Sequence, residues 1–121
     1  MNVSAWDLSL WAQCRKERKA SLERQRLAVL KEVPAALEAL SRKYAWEEAY
    51  VFGSLTRPGR FGPESDIDIA VAGLDKLVHY AFVGDIFNIL NRSVDVVRLE
   101  DCPFAQKIVR EGMPWKMIRG C

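Results

Sequence analysis

Two aspartates stand two residues apart in the stretch Asp66-Ile67-Asp68-Ile69-Ala70-Val71. In extended backbone that spacing sends both carboxylates to one side and both isoleucines to the other, so one face is acidic and the other belongs to a core. A third acid, Asp95, interrupts the apolar run Val94-Asp95-Val96-Val97. That run reads as a strand buried on both faces, where a carboxylate needs a partner. If the two strands are neighbours, three carboxylates converge, and at roughly 5 Å and an effective dielectric of 20 each repelling pair costs about 3 kcal/mol. A divalent cation removes that cost. Carboxylates without His or Cys suit hard, water-retaining Mg²⁺ rather than zinc, so the cluster implies Mg²⁺, as a pair of ions.

The second element of chemistry is Phe52-Gly53-Ser54, where the apolar run Ala49-Tyr50-Val51-Phe52 stops abruptly. Glycine lets the backbone approach a ligand closely, and exposed amides with the Ser54 hydroxyl form a small anion site suited to a triphosphate tail. Arg57 and Arg60 follow within reach of the same phosphates. Alone, an Asp-x-Asp pair is common on solvated strand faces; its weight comes from the glycine turn ahead of it and the acid in a later strand.

Gly53-Ser54, an eleven-residue spacer, Asp66-x-Asp68 and the later Asp95 together resemble the nucleotidyltransferase superfamily related to polymerase β. More narrowly, the stretch from Tyr50 to Gly112 is similar to the minimal nucleotidyltransferases (MNT), many of them antitoxins paired with HEPN-domain toxins. The resemblance implies in-line displacement at the α-phosphate of a nucleoside triphosphate with pyrophosphate leaving, a reaction that two metals serve by stabilising entering and departing oxygens. It implies Asp66 and Asp68 as ligands of two Mg²⁺ ions, Asp95 as completing the metal site and assisting deprotonation of the acceptor hydroxyl, and Gly53-Ser54 as holding the β and γ phosphates. The candidate catalytic and metal set is thus Asp66, Asp68 and Asp95, and the nucleotide-binding set Gly53, Ser54, Arg57, Arg60 and Ser65. Two features depart from the usual pattern: the spacer is one residue longer than is common, and Leu-Thr-Arg-Pro-Gly-Arg stands where Arg-x-Arg-Gly is typical.

These residues need strands and turns to bring them together, and the sequence supplies them. Residues 4–43 read as helix, opened by Ser4 with Asp7 three places on and carrying Leu8, Trp11, Leu22, Val29 or Leu30, Val33, Leu37 and Leu40 near helical spacing. Pro34 predicts a kink or restart in the middle. A strand from Glu48 to Phe52, a Gly/Pro loop from Leu55 to Ser65, and a strand from Asp66 to Val71 follow. Asp75 to Leu90 reads as a helix, Ser93 to Leu99 as a third strand, Pro103 to Glu111 as a short helix stopped by Gly112, and Met113 to Ile118 as a last strand. The order predicts an α/β (α+β) fold: a small mixed sheet flanked by helices, by resemblance a polymerase-β-like core. It forms one domain over 1–121, with a helical extension over 1–43 and a catalytic core over 44–121.

Composition fits that reading. The chain has 121 residues, half of them apolar and 28% charged, enough for one core without disulfides or a structural metal. No apolar stretch is long enough to span a bilayer, and the N-terminus lacks a basic leader. Cys14, Cys102 and Cys121 are odd in number and scattered, so they read as free thiols of a cytoplasmic protein. Between Arg15 and Lys31, seven basic residues face two acids, an excess of five positive charges, while the rest of the chain is net negative by three. That run reads as a solvated helix face rather than a nucleic-acid surface. His79 reads as structural; Trp46, Phe104 and Trp115 read as core or interface. The resulting expectation is an Mg²⁺-dependent enzyme moving AMP from ATP onto a hydroxyl of a protein partner, by resemblance a HEPN toxin silenced by AMPylation. Two alternatives stay open: a noncatalytic module that neutralises its partner by contact, and a small-molecule transferase of the aminoglycoside type working as a homo-oligomer.

Overall fold

The structure, a computed structural model, describes residues 5–116. Its elements are α1 (Ala5–Leu40), β1 (Glu48–Phe52), β2 (Ile67–Ala72), α2 (His79–Leu90), β3 (Val94–Arg98), α3 (Ala105–Glu111) and β4 (Met113–Pro114), with short 3₁₀ segments at Gly53–Thr56, Lys76–Val78 and Leu99–Asp101. The strands form one mixed sheet in the order β3-β2-β1-β4, with β1 antiparallel to β2 and β4, and β2 parallel to β3. This is the expected α/β order with its small mixed sheet. The last strand, expected over Met113 to Ile118, stops at Pro114, with Trp115 and Lys116 helical; Met117 and Ile118 lie outside the described residues, as do Ser4 and Cys121. Among the described residues no helix is long and apolar enough to cross a membrane.

Register assigns the two faces of the sheet. Val51, Ile69 and Val96 stand opposite one another across β1, β2 and β3, and with Ala49, Ile67 and Val71 they form the main core under α1 and α2. The other face carries Tyr50, Ala70 and Val97 in one row. Ile108 of α3 packs on Tyr50 and Ala70, with Phe52, Val97, Leu99 and Cys102 around them. Because α3 has only seven residues, it covers part of this face and leaves the next row, Phe52, Asp68 and Asp95, at its margin.

Helix α1 departs from the sequence reading in two ways. It runs uninterrupted for 36 residues with Pro34 inside it, where a break was expected. Pro34 sits buried between Val33 and the pair Ala36 and Leu37, all in the core. Burying Val29, Val33, Ala36, Leu37 and Leu40 along one stripe stabilises the helix by more than the roughly 3 kcal/mol a proline costs an interior turn. In addition, residues 8–20 are exposed throughout. Trp11 is 67% exposed and does not pack on the body; the Arg15 guanidinium lies 6.0 Å from its ring centre.

Helix α2 begins at His79, four residues after the expected Asp75, because a 3₁₀ turn over Lys76–Val78 takes up the interval. Asp75 caps the 3₁₀ turn ahead of it by accepting from the Leu77 amide at 2.9 Å, and Asn91 ends the helix in the left-handed region at φ 53. Trp46 packs edge-on to Phe82 and lies against Trp115, so both tryptophans belong to the core, as their sequence context implied. Phe104, at 51% exposure, does not.

The split between the buried and free halves of α1 sets an expected contrast. Leu37→Ala should lower the unfolding free energy by about 3 kcal/mol through lost burial and a residual cavity. Trp11→Ala should change it by less than roughly 0.5 kcal/mol. Urea unfolding followed by far-ultraviolet circular dichroism separates the two.

Candidate active site

The acidic residues meet on the sheet face that α3 leaves open. Asp68 in β2 stands directly opposite Asp95 in parallel β3, and opposite Phe52 in β1, so the three side chains leave one face of adjacent strands roughly 4.8 Å apart. Asp66 immediately precedes β2 and is exposed, while Ile67 and Ile69 are wholly buried on the far face. The alternation read from the sequence is therefore realised. One expectation is not: Asp95 is exposed. Strand β3 is the edge of the sheet; Val94 and Val96 are shielded in the main core on one face and Val97 packs with the Ile108 cluster on the other, while Asp95, on the Val97 face, is left to solvent.

Asp68 is the group under electrostatic load. Partial burial, then the charges of Asp95 and Asp66, push its carboxyl up from the ordinary 3.8 to about 6. The donor set is hard oxygen without His or Cys, and the surrounding charge favours a cation. Asp66, Asp68 and Asp95 therefore fit Mg²⁺ in chemical type. The convergence of three carboxylates expected from the sequence is not reached, however: among the described residues no group of three His, Cys, Asp or Glu side chains is placed to hold a metal ion.

Gly53 places the turn against this acid. Its φ is +75, and a Cβ there would run into the Asp68 carboxylate, so no other residue fits without moving the acid. The turn from Gly53 to Thr56 is closed by the Thr56 hydroxyl donating to the Gly53 carbonyl at 2.7 Å and the Arg57 amide donating to the Ser54 carbonyl at 3.1 Å. A further tie comes from α1. Buried Arg26 donates to the Leu55 carbonyl at 2.9 Å and pairs with Glu23 at 2.7 Å. The sequence reading placed Arg26 on a solvated basic face; the only local sign of its role is Glu23 three residues earlier, which holds the guanidinium in place.

The remaining sequence candidates divide. Arg57 lines a cavity of about 380 Å³ together with Phe52, Gly53, Thr56, Phe104 and Lys107, next to the acidic row. Phe104 and Lys107 were not read as site residues, because nothing local marks α3 as a wall of this cavity. Arg60 lies exposed in the turn beyond Pro58 and Gly59, away from that cavity. Ser65 serves the loop itself, its hydroxyl accepting from the Gly62 amide at 2.9 Å. Arg92 fixes the same loop, donating to the Gly62 and Pro63 carbonyls at 3.0 and 3.3 Å with its guanidinium 4.6 Å from the Phe61 ring centre. Asp66 thus leaves a braced loop.

Two outcomes follow from this geometry. Gly53→Ala should cost at least about 1 kcal/mol of stability for its left-handed backbone, and the displaced Asp68 should slow phosphoryl chemistry about a hundredfold, read as nucleotide turnover beside a thermal melt. Asp68→Asn tests the combined cost of burying this carboxylate and of its charged neighbours. A carboxyl whose folded pKa lies above its unfolded value destabilises the fold once it ionises, so the penalty is absent below about pH 4 and complete above about pH 6. In chelator, Asp68→Asn should melt several degrees higher than the wild type at pH 7.5, and the difference should vanish near pH 4.

The family model described as Polymerase beta, Nucleotidyltransferase matches residues 36–114, which hold the sheet, the glycine turn and all three aspartates. Among solved structures, a chain of a toxin–antitoxin crystallised with AMP-PNP is 27% identical, with a TM-score of 0.58 over 68% of this chain and 71% of that one. A chain of the toxin–antitoxin MntA–HpeT in a mutant form is 25% identical, with a TM-score of 0.56 over 68% and 70%. The toxin–antitoxin MntA–HepT, at 23% identity and a TM-score of 0.50 over 74% and 70%, shares the fold. A search of curated proteins finds no match. With a glycine turn pressed on the middle member of an acidic row, and a family match over most of its length, this chain belongs to the polymerase β nucleotidyltransferase family.

Proposed function

We propose that the chain transfers a nucleoside monophosphate, AMP from ATP, to a hydroxyl of a protein partner, and that the partner is a HEPN-type toxin which the modification silences. The observation that carries this reading is the row of Asp68 beside Asp95 with the Gly53 backbone against Asp68. It puts a phosphate-sized turn and two carboxylates on one open patch of sheet. Support for ATP and for a toxin partner comes from the similarity to a toxin–antitoxin chain whose crystals hold AMP-PNP.

In this reading Asp66, Asp68 and Asp95 hold Mg²⁺, which when bound supplies neutralisation of charge at the α-phosphate. The turn at Gly53 and Ser54 takes the β and γ phosphates, with Arg57 at the cavity wall beside them. The acceptor oxygen bonds to the α-phosphorus as the bond from that phosphorus to the bridging oxygen breaks. Pyrophosphate leaves with the electron pair, and Asp95, exposed at the sheet edge, takes the hydroxyl proton.

Label transfer tests the reading. With α-labelled ATP and Mg²⁺ in extract from the native cells, the wild type should label a protein band, and Asp68→Asn and Asp95→Asn should each lower labelling by at least about a hundredfold. Labelling that survives both substitutions, or none with any of the four nucleotides, overturns it; neutralisation of a toxin that survives Asp68→Asn points instead to inhibition by contact.

A further inference from the structure

The outer edge of β3 is open, and it leads to Asp95. The direction of its backbone groups follows from one hydrogen bond and the register. Ile67 donates its amide to the Ser93 carbonyl at 3.0 Å, so Ser93 and the alternate residues Asp95 and Val97 turn their backbone groups toward β2. Val94, Val96 and Arg98 therefore turn theirs outward. No described strand lies on that side, and no backbone bond from these three residues to another described segment takes their place.

Beside this edge runs a cavity of about 430 Å³, walled by Val96, Val97, Tyr80, Cys102 and Phe104 among others. Tyr80 is 86% exposed and Phe104 51%, so apolar surface flanks the unpaired backbone. The cavity is separate from the one at Gly53, the two sharing only Phe104. The edge carries neither a proline nor a break in its register with β2, and is guarded by its five-residue length and the charges of Asp95 and Arg98.

We propose that the acceptor protein docks as an extended segment added to β3, which makes it a fifth strand and delivers its hydroxyl to Asp95. This rests on the transfer reading above and supplies the acceptor subsite that it lacks. The occupant's chemistry is set by the edge: donors and acceptors repeating every second residue match extended polypeptide and not a helix or a small molecule. Position follows as well. In adjacent strands, side chains directly opposite lie on the same face, so the residue facing Asp95 projects its side chain onto the acidic face beside Asp95, with Asp68 one strand further in. A Ser, Thr or Tyr there lies in line with the carboxylates, while a neighbouring apolar side chain of the same segment enters the cavity next to Tyr80.

Two variants test this on the full chain in the label-transfer assay. Val94→Pro removes an outward amide at the first position of an edge strand, where proline breaks no ladder bond; Tyr80→Asp charges the apolar flank at a solvent-facing position. Both should lower labelling of the protein band at least tenfold, with affinity for AMP-PNP and Mg²⁺ within twofold of the wild type and melting temperatures close to it. Labelling by Val94→Pro at the wild-type level overturns the inference. Should Val94→Pro fail to fold, Tyr80→Asp labelling at the wild-type level overturns it in the same way. If the wild type itself labels no protein, the transfer reading fails and this inference falls with it, an outcome distinct from loss in the variants alone.

Discussion

Two carboxylates held on adjacent parallel strands repel each other, and much of the surrounding structure is the cost and the means of holding them there. Asp68 cannot relax away: its neighbours Ile67 and Ile69 are fixed in the core, and the Gly53 backbone occupies the space on its other side. Asp95 faces solvent because its strand lies at the edge. The acid in the middle bears the burden: partial burial first, and then the charges of Asp95 and Asp66, raise its carboxyl to about 6. Such a site is destabilising by itself and becomes favourable when positive charge arrives, so ligand binding and local stability are linked.

Holding that arrangement takes ties from distant parts of the chain. Arg26 in α1 reaches the Leu55 carbonyl, and Arg92, just after α2, gathers the loop carbonyls that precede Asp66. Arg26 satisfies a carbonyl of the 3₁₀ turn at Gly53–Thr56 and Arg92 those of a loop without regular structure, acceptors that would otherwise be costly to shield from water. The basic residues thus do different work according to place. Arg26 is buried structure, whereas Arg57 and Lys107 remain available at a cavity wall.

Local pattern made most of the fold legible. Alternation at Ile67, Asp68 and Ile69 marks a strand with one acidic face, and an aromatic run ending at Gly53 marks the turn, because both signals lie within a few residues. What depends on the order of strands was not legible. Val94-Asp95-Val96-Val97 reads alike for a central and an edge strand, so the exposure of Asp95 is hidden until β3 is placed outermost. Pro34 is a local signal overruled by burial from the sheet beneath it. The tie from Arg26 to Leu55 spans 29 residues and has no periodic signature. Sequence residues with a site role were found where chemistry is written in residue type, and missed, as at Phe104 and Lys107, where only packing brings them near.

The free half of α1 alters how the molecule moves through solution. At 1.5 Å per residue the 36-residue helix is about 54 Å long, whereas a compact body of this chain length has a radius of gyration of about 14 Å. A rod fixed to a small body raises rotational friction about the transverse axes far more than about its own, so tumbling becomes anisotropic. The charge-rich shaft then sweeps a shell well outside the catalytic body, and its long-range field reaches other macromolecules before the acidic row comes within a screening length of them.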